Sequence, residues 1–108
     1  MTRYSVIVLP AAESDIGAAY EWLAQQDAEA AIRWYNRLLE KILSLGVFPE
    51  RAPLALEGKS FNREIREIFH GRRQHKYRIL FTVSGHEVYV LHVRHGARMI
   101  LGETFSEG

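Results

Sequence analysis

Cysteine is absent from this 108-residue chain, so neither a disulfide framework nor thiolate chemistry is open to it. Long hydrophobic runs are absent too. The apolar stretch at the N-terminus, Tyr4 to Leu9, is far shorter than a signal-peptide core or a membrane span, and a cytoplasmic protein with no membrane partner is expected. None of the phosphate-cradling glycine patterns G-x-x-x-x-G-K and G-x-G-x-x-G occurs, nor does G-x-S-x-G, which removes support for nucleotide binding and for a hydrolase nucleophile elbow. Five histidines are present, but His92 and His95 stand three apart in a strand-like run and so point to opposite faces, with no cysteine to complete a tetrahedral set. Neither a metal nor a cofactor is expected. What remains is 47% hydrophobic and 25% charged, the balance of a globular protein, in a length that holds one core and therefore one domain over residues 1–108.

The net charge of +1 hides a division along the chain. Residues 1–58 carry five Lys/Arg against eight Asp/Glu, a net −3, whereas residues 59–98 carry nine against three, a net +6. A basic half concentrates positive potential where an anionic partner can dock; a solvated sheet face would read the same way.

The pattern of apolar residues gives the order β, α, α, β, β, β. Tyr4 to Leu9 reads as a strand buried on both faces, and Pro10 stops it while serving as the first residue of a helix that runs to about Gln26. Ile16, Ala19, Tyr20 and Leu23 form the apolar stripe of that helix, with Trp22 beside it. Asp27 can cap a second helix whose stripe is Ile32, Tyr35, Leu38, Leu39, Ile42 and Leu45, ended by Gly46. The near absence of a linker makes the two an antiparallel helical hairpin, suited to covering a sheet.

After an irregular connector over residues 47–62, Arg63 to His70 alternates as a strand. Tyr77 to Val83 and Val88 to His95 then form a β-hairpin about Ser84, Gly85 and His86. Alternation places Tyr77, Ile79, Phe81 and Val83 on one face of the first arm. In the second arm it places Tyr89, Leu91, Val93 and His95 together, opposed by Val88, Val90, His92 and Arg94. The fold class is therefore α+β, a helical hairpin on a twisted, mainly antiparallel four-stranded sheet.

If the last three strands are neighbours, Arg66, Arg78, Arg94, His95 and Arg98 can line one concave face. Arginines there would hold a phosphate in bidentate fashion, and His95 could move a proton during RNA backbone cleavage by a 2′-oxygen. The plainer alternative is that Arg66 pairs with a cross-strand Glu and that His95 packs in the sheet.

The element order, the segment Arg66-Glu67-Ile68-Phe69, the run Tyr77-Arg78-Ile79-Leu80-Phe81 and above all Val90-Leu91-His92-Val93-Arg94-His95-Gly96-Ala97-Arg98 resemble the ParE/RelE superfamily of bacterial toxins. The likeness spans nearly the whole chain. It implies the toxin of a type II toxin–antitoxin module, often found in plasmid stabilisation operons, neutralised by a small ParD-like antitoxin whose C-terminal segment wraps it. RelE-like members cleave mRNA on the ribosome, and for that activity the resemblance implies Arg66, Arg78, His95 and Arg98 as catalytic residues. This chain has no tyrosine after His95 and no lysine cluster on the second strand. Its H-G-x-R ending and long helical hairpin are more similar to ParE, which implies inhibition of DNA gyrase without enzymatic action.

Arg63, Arg72, Arg73 and Arg94 are the candidates for contact with target or antitoxin. An acidic or amphipathic antitoxin helix would lie in the groove between the helical hairpin and the sheet, its charge opposed by the basic strands. A homo-oligomer and a toxin–antitoxin heterocomplex are both compatible with this reading, and a basic binding module without toxicity is a third functional class.

Overall fold

The computed structural model describes residues 3–71 and 76–96. Strand β1 (Ser5–Val8) leads into helix α1 (Pro10–Gln26), and α2 (Ala28–Leu43) follows after a single residue. That residue is Asp27, whose extended backbone breaks the helical path while its carboxylate accepts a hydrogen bond from the Ala30 N–H at 3.1 Å, capping α2. No comparable side-chain bond caps α1, which starts on Pro10, where the missing N–H is no loss. The helical period of α2 gives way at Ser44–Gly46 to a 3-10 turn, and a second such turn covers Pro49–Arg51.

Strands β2 (Arg66–His70), β3 (Tyr77–Ser84) and β4 (Glu87–His95) complete a sheet in the order β1-β4-β3-β2. The last three pair antiparallel, while β1 lies parallel to β4, so the sheet is mixed. Its hairpin turns on Gly85, whose φ of 61° is a left-handed conformation that suits a residue without Cβ. Position in the sheet overrides the reading of Tyr4 to Leu9 as a strand buried on both faces: β1 is an edge strand and none of its residues is fully buried.

The helical hairpin covers one face. Ala12 and Ile16 of α1 and Leu38 and Ile42 of α2 meet Tyr77, Ile79, Phe81, Val88, Val90 and Val93 of the sheet, with Leu45 closing one end. The stripe of α2 is turned relative to the sequence expectation. Ala31 is buried, whereas Ile32 is 49% exposed and Tyr35 lies at the rim with its ring 5.7 Å from that of Tyr20. Ala31 is fully enclosed, and the bulkier side chains sit where there is room.

Strand β4 contains a β-bulge. Phe81 pairs with Val90 and Leu80 with His92, which leaves Leu91 unmatched. The extra residue reverses the alternation, so Val88 and Val90 share the helix-covered face with Val93, correcting the expectation that Tyr89 and Leu91 lie with Val93 and His95. Leu91 instead joins Ala55, Ile65 and Leu80 in a small second core on the reverse face. Over that core lies a short helix, α3 (Glu57–Phe61), inside the segment expected to be irregular.

Candidate functional site

Because Pro10 turns the chain into a helix directly after β1, α1 crosses the edge of β4 just where β1 has ended. Leu9 makes the last strand-like contact, its N–H donating to the Val90 carbonyl at 3.1 Å. Beyond it, Asp15 takes over the edge. Its Oδ2 accepts from the Val93 N–H at 2.9 Å and from His92 Nδ1 at 3.0 Å, and Arg94 Nε lies 4.0 Å from the same oxygen, an ion pair without a hydrogen bond. One carboxylate thus satisfies strand backbone and orients the His92 ring.

Between α1 and this end of the sheet lies an open cleft of about 700 Å³, lined by Asp15, Ala18, Ala19, Trp22, Tyr77, Val93, Arg94 and His95. Trp22, 52% exposed, forms part of its wall. Beside the cleft runs an aromatic chain. The Tyr77 ring meets His95 edge-on at 5.2 Å and Trp34 edge-on at 5.1 Å, and Trp34 lies 6.0 Å from His70. His70 Nε2–H donates to the Trp34 carbonyl at 3.2 Å. Burial lowers the His70 pKa below the usual imidazole value; the bond to Trp34 opposes that shift, and the positive charges of Lys41 and Arg37 add to it.

The strand arginines do not share a face. Residues directly opposed on paired strands point the same way, so Arg66, opposite Phe81, lies on the helix side, and Arg78, opposite Phe69 and Arg94, lies on the reverse side. The expected concave row of Arg66 and Arg78 is therefore not formed. Each is also engaged. Arg66 Nη1 donates to the carbonyls of Ala52 at 2.7 Å and Glu50 at 3.3 Å, and its Nη2 lies 3.6 Å from Glu64.

Arg78 is held between two carboxylates, with Nη2 2.8 Å from Glu57 Oε1 and Nε 2.9 Å from Glu67 Oε1. Burial alone would lower its pKa; the hydrogen bonds to Glu57 and Glu67 outweigh it and raise the value further above that of free arginine. Glu57 is fully buried, so α3 is anchored to the sheet by an internal charge pair. Arg63 stands at the rim of a second groove over the reverse face, lined by Phe61, Ile65, Leu80, Leu91 and His92 among others. Arg72, Arg73 and Arg98 lie outside the described residues.

Of the expected site residues, then, Arg94 and His95 meet in one cleft, while Arg66, Arg78 and Arg63 stand elsewhere. Sequence reading missed Asp15 and Glu57. A signal for the second existed, since a single arginine within the run Tyr77-Arg78-Ile79-Leu80-Phe81 demands a buried carboxylate, although nothing named the residue. Nothing in the sequence singles out Asp15, since an acid near the start of a helix is already accounted for by the helix dipole. Among the described residues no group of three or more His, Asp or Glu side chains is placed to hold a metal ion, and no helix is long and apolar enough to cross a membrane.

A search of curated proteins returns no match. Among solved structures, a chain from "Chromosomal ParDE TA system from P. aeruginosa" superposes with a TM-score of 0.69 at 18% identity, covering 86% of this chain and 96% of that one, a likeness of fold. The family model of the ParE toxin of the type II toxin–antitoxin system parDE matches residues 6–100. That match takes in all three helices, the four strands except Ser5, and the Asp15 cleft, and on it the chain belongs to the ParE toxin family of type II toxin–antitoxin systems.

Proposed function

We propose that this toxin acts by inhibiting DNA gyrase and is neutralised by a cognate antitoxin, without catalysing a reaction of its own. Membership of the ParE family carries the reading. The engagement of the strand arginines supports its non-catalytic part. A ribonuclease of the RelE kind needs arginines free to take up charge developing on a phosphate, and such groups act only when aimed at that charge. Arg78 is committed to Glu57 and Glu67, Arg66 to backbone carbonyls, and the two are on opposite faces of the sheet. Inhibition by binding asks for no such set.

The cleft between α1 and the sheet end is the place assigned to an antitoxin side chain, with Arg94 and His95 to meet an acid and Trp22 to cover an apolar group. Supercoiling by purified gyrase is the deciding assay. Inhibition and accumulation of cleaved DNA complexes are expected with toxin alone, and relief on adding antitoxin. Unaffected supercoiling, together with mRNA cut on ribosomes in a manner abolished by His95→Ala, would replace this reading with the ribonuclease one. Harmless overexpression in a bacterial host would favour a binding module.

A further inference from the structure

Helix α2 exposes three cations that the fold leaves unused. Arg33, Arg37 and Lys41 follow one another at four-residue intervals, about 6 Å of helix rise and about 40° of turn per step, so their heads form a diagonal row along the helix. All three are exposed, and among the described residues none makes an ion pair. At about 100° per residue, the order round the helix outward from the sheet is Trp34, Lys41, Arg37, Arg33, then Glu40 and Glu29. The acids therefore flank only the far side of the row. Its near side adjoins the end of β2, where the charges of Arg37 and Lys41 reach His70 and disfavour its protonation.

We infer that this row docks the phosphate backbone of double-stranded DNA. The inference rests on the gyrase reading for its setting, since an inhibitor of that enzyme works beside a DNA segment, and it adds a direct contact with that segment. Three features select a nucleic acid over an acidic protein. Protein interfaces are centred on apolar or aromatic side chains shielded from water, and the row has none between its cations. The exposed apolar residues of α2, Ile32, Tyr35 and Leu43, lie on the other flank of the helix. A linear array of guanidinium and ammonium heads matches a linear polyanion, which such groups bind by displacing counterions, without need of sequence recognition. A membrane surface would in turn need apolar side chains beside the charges.

The test is binding of the full-length toxin to a fluorescent mixed-sequence duplex at several salt concentrations. Three phosphate contacts predict a slope of log K against log salt near −2.7, about a 40-fold loss of affinity between 50 and 200 mM. The variant carrying Arg33→Gln, Arg37→Gln and Lys41→Gln, all at exposed helix positions, should keep its circular dichroism and melting while losing that binding and its salt dependence. Lys59→Gln, an exposed cation on α3, should bind the duplex like the parent protein.

Equal duplex affinity in the parent and the triple variant would overturn the inference. So would undetectable duplex binding combined with loss of antitoxin affinity in the triple variant, since the row would then be a protein-binding surface. If duplex binding follows the row while supercoiling is untouched by toxin, the DNA contact stands and the gyrase reading fails.

Discussion

Arg78→Met tests whether the internal charge pair holds α3 on the sheet. The substitution keeps most of the side-chain length and volume, so the loss it reports is chiefly electrostatic. Glu57 has no exposed side-chain surface and Arg78 only 11%, so water cannot replace the missing guanidinium. Removing one partner of such a pair costs about 3–5 kcal/mol, because the remaining charge stays buried without compensation. A chain of this length has about 5–16 kcal/mol of total stability, so the loss is a large fraction of it.

In urea, with a slope of about 2 kcal/mol per molar, the midpoint should fall by about 2 M. Introducing Arg78→Met into a Glu57→Gln background should cost much less, since only the partly exposed Glu67 then loses its partner, and the cycle of four proteins should show a coupling of about 2 kcal/mol or more. A loss below about 1 kcal/mol, or additivity within about 0.5 kcal/mol, would refute the argument that the pair is buried and mutually dependent.

His70 gives a pH dependence. Its pKa is lowered in the folded protein from an ordinary 6.5, so below that value the unfolded chain binds the proton more readily and stability falls as the pH drops. His70→Gln should flatten the stability profile on the acid side of neutrality, and an identical profile in the variant would count against burial as the cause. Asp15→Ala leaves the Val93 N–H and His92 Nδ1 without their acceptor and should cost about 1.5–3 kcal/mol; hydrogen exchange should accelerate at the Val93 amide while the Leu9 to Val90 bond stays protected. Asp27→Ala removes the cap of α2 and should cost about 1 kcal/mol by thermal melting, with Asp27→Asn close to neutral.

The elements legible in the sequence were those whose determinants are local. Pro10 and Asp27 bracket α1 and cap α2, and the β-branched runs about Gly85 announce the β3–β4 hairpin. The arrangement of strands was less legible, because pairing of β1 with β4 is a property of distant segments; an apolar run such as Ser5–Val8 reads alike at an edge and at the centre. The bulge at Leu91 carries no composition signal, since Val88-Tyr89-Val90-Leu91 is apolar at every position, and without its place plain alternation puts Val88 and Val90 opposite Val93 instead of beside it. The candidate site depends most on contacts between distant segments. Arg94 and His95 were found by their motif, but the carboxylate that organises their strand comes from α1, and the partner of Arg78 comes from a connector with no strand or helix period long enough to announce itself.

The parallel pairing of β1 has a consequence for how this molecule comes into being. Ser5 is synthesised well before Glu87, with all three helices and two strands between them, yet the two are direct neighbours in the sheet. The two helices can coil as they emerge, but the surface they must bury against does not exist until the final hairpin is made. Completion of the sheet therefore waits until β4 has been made, and contacts that close so long a loop form slowly. Throughout that interval the nascent chain carries an uncovered oily stripe that any protein able to grasp it could hold before the fold has closed.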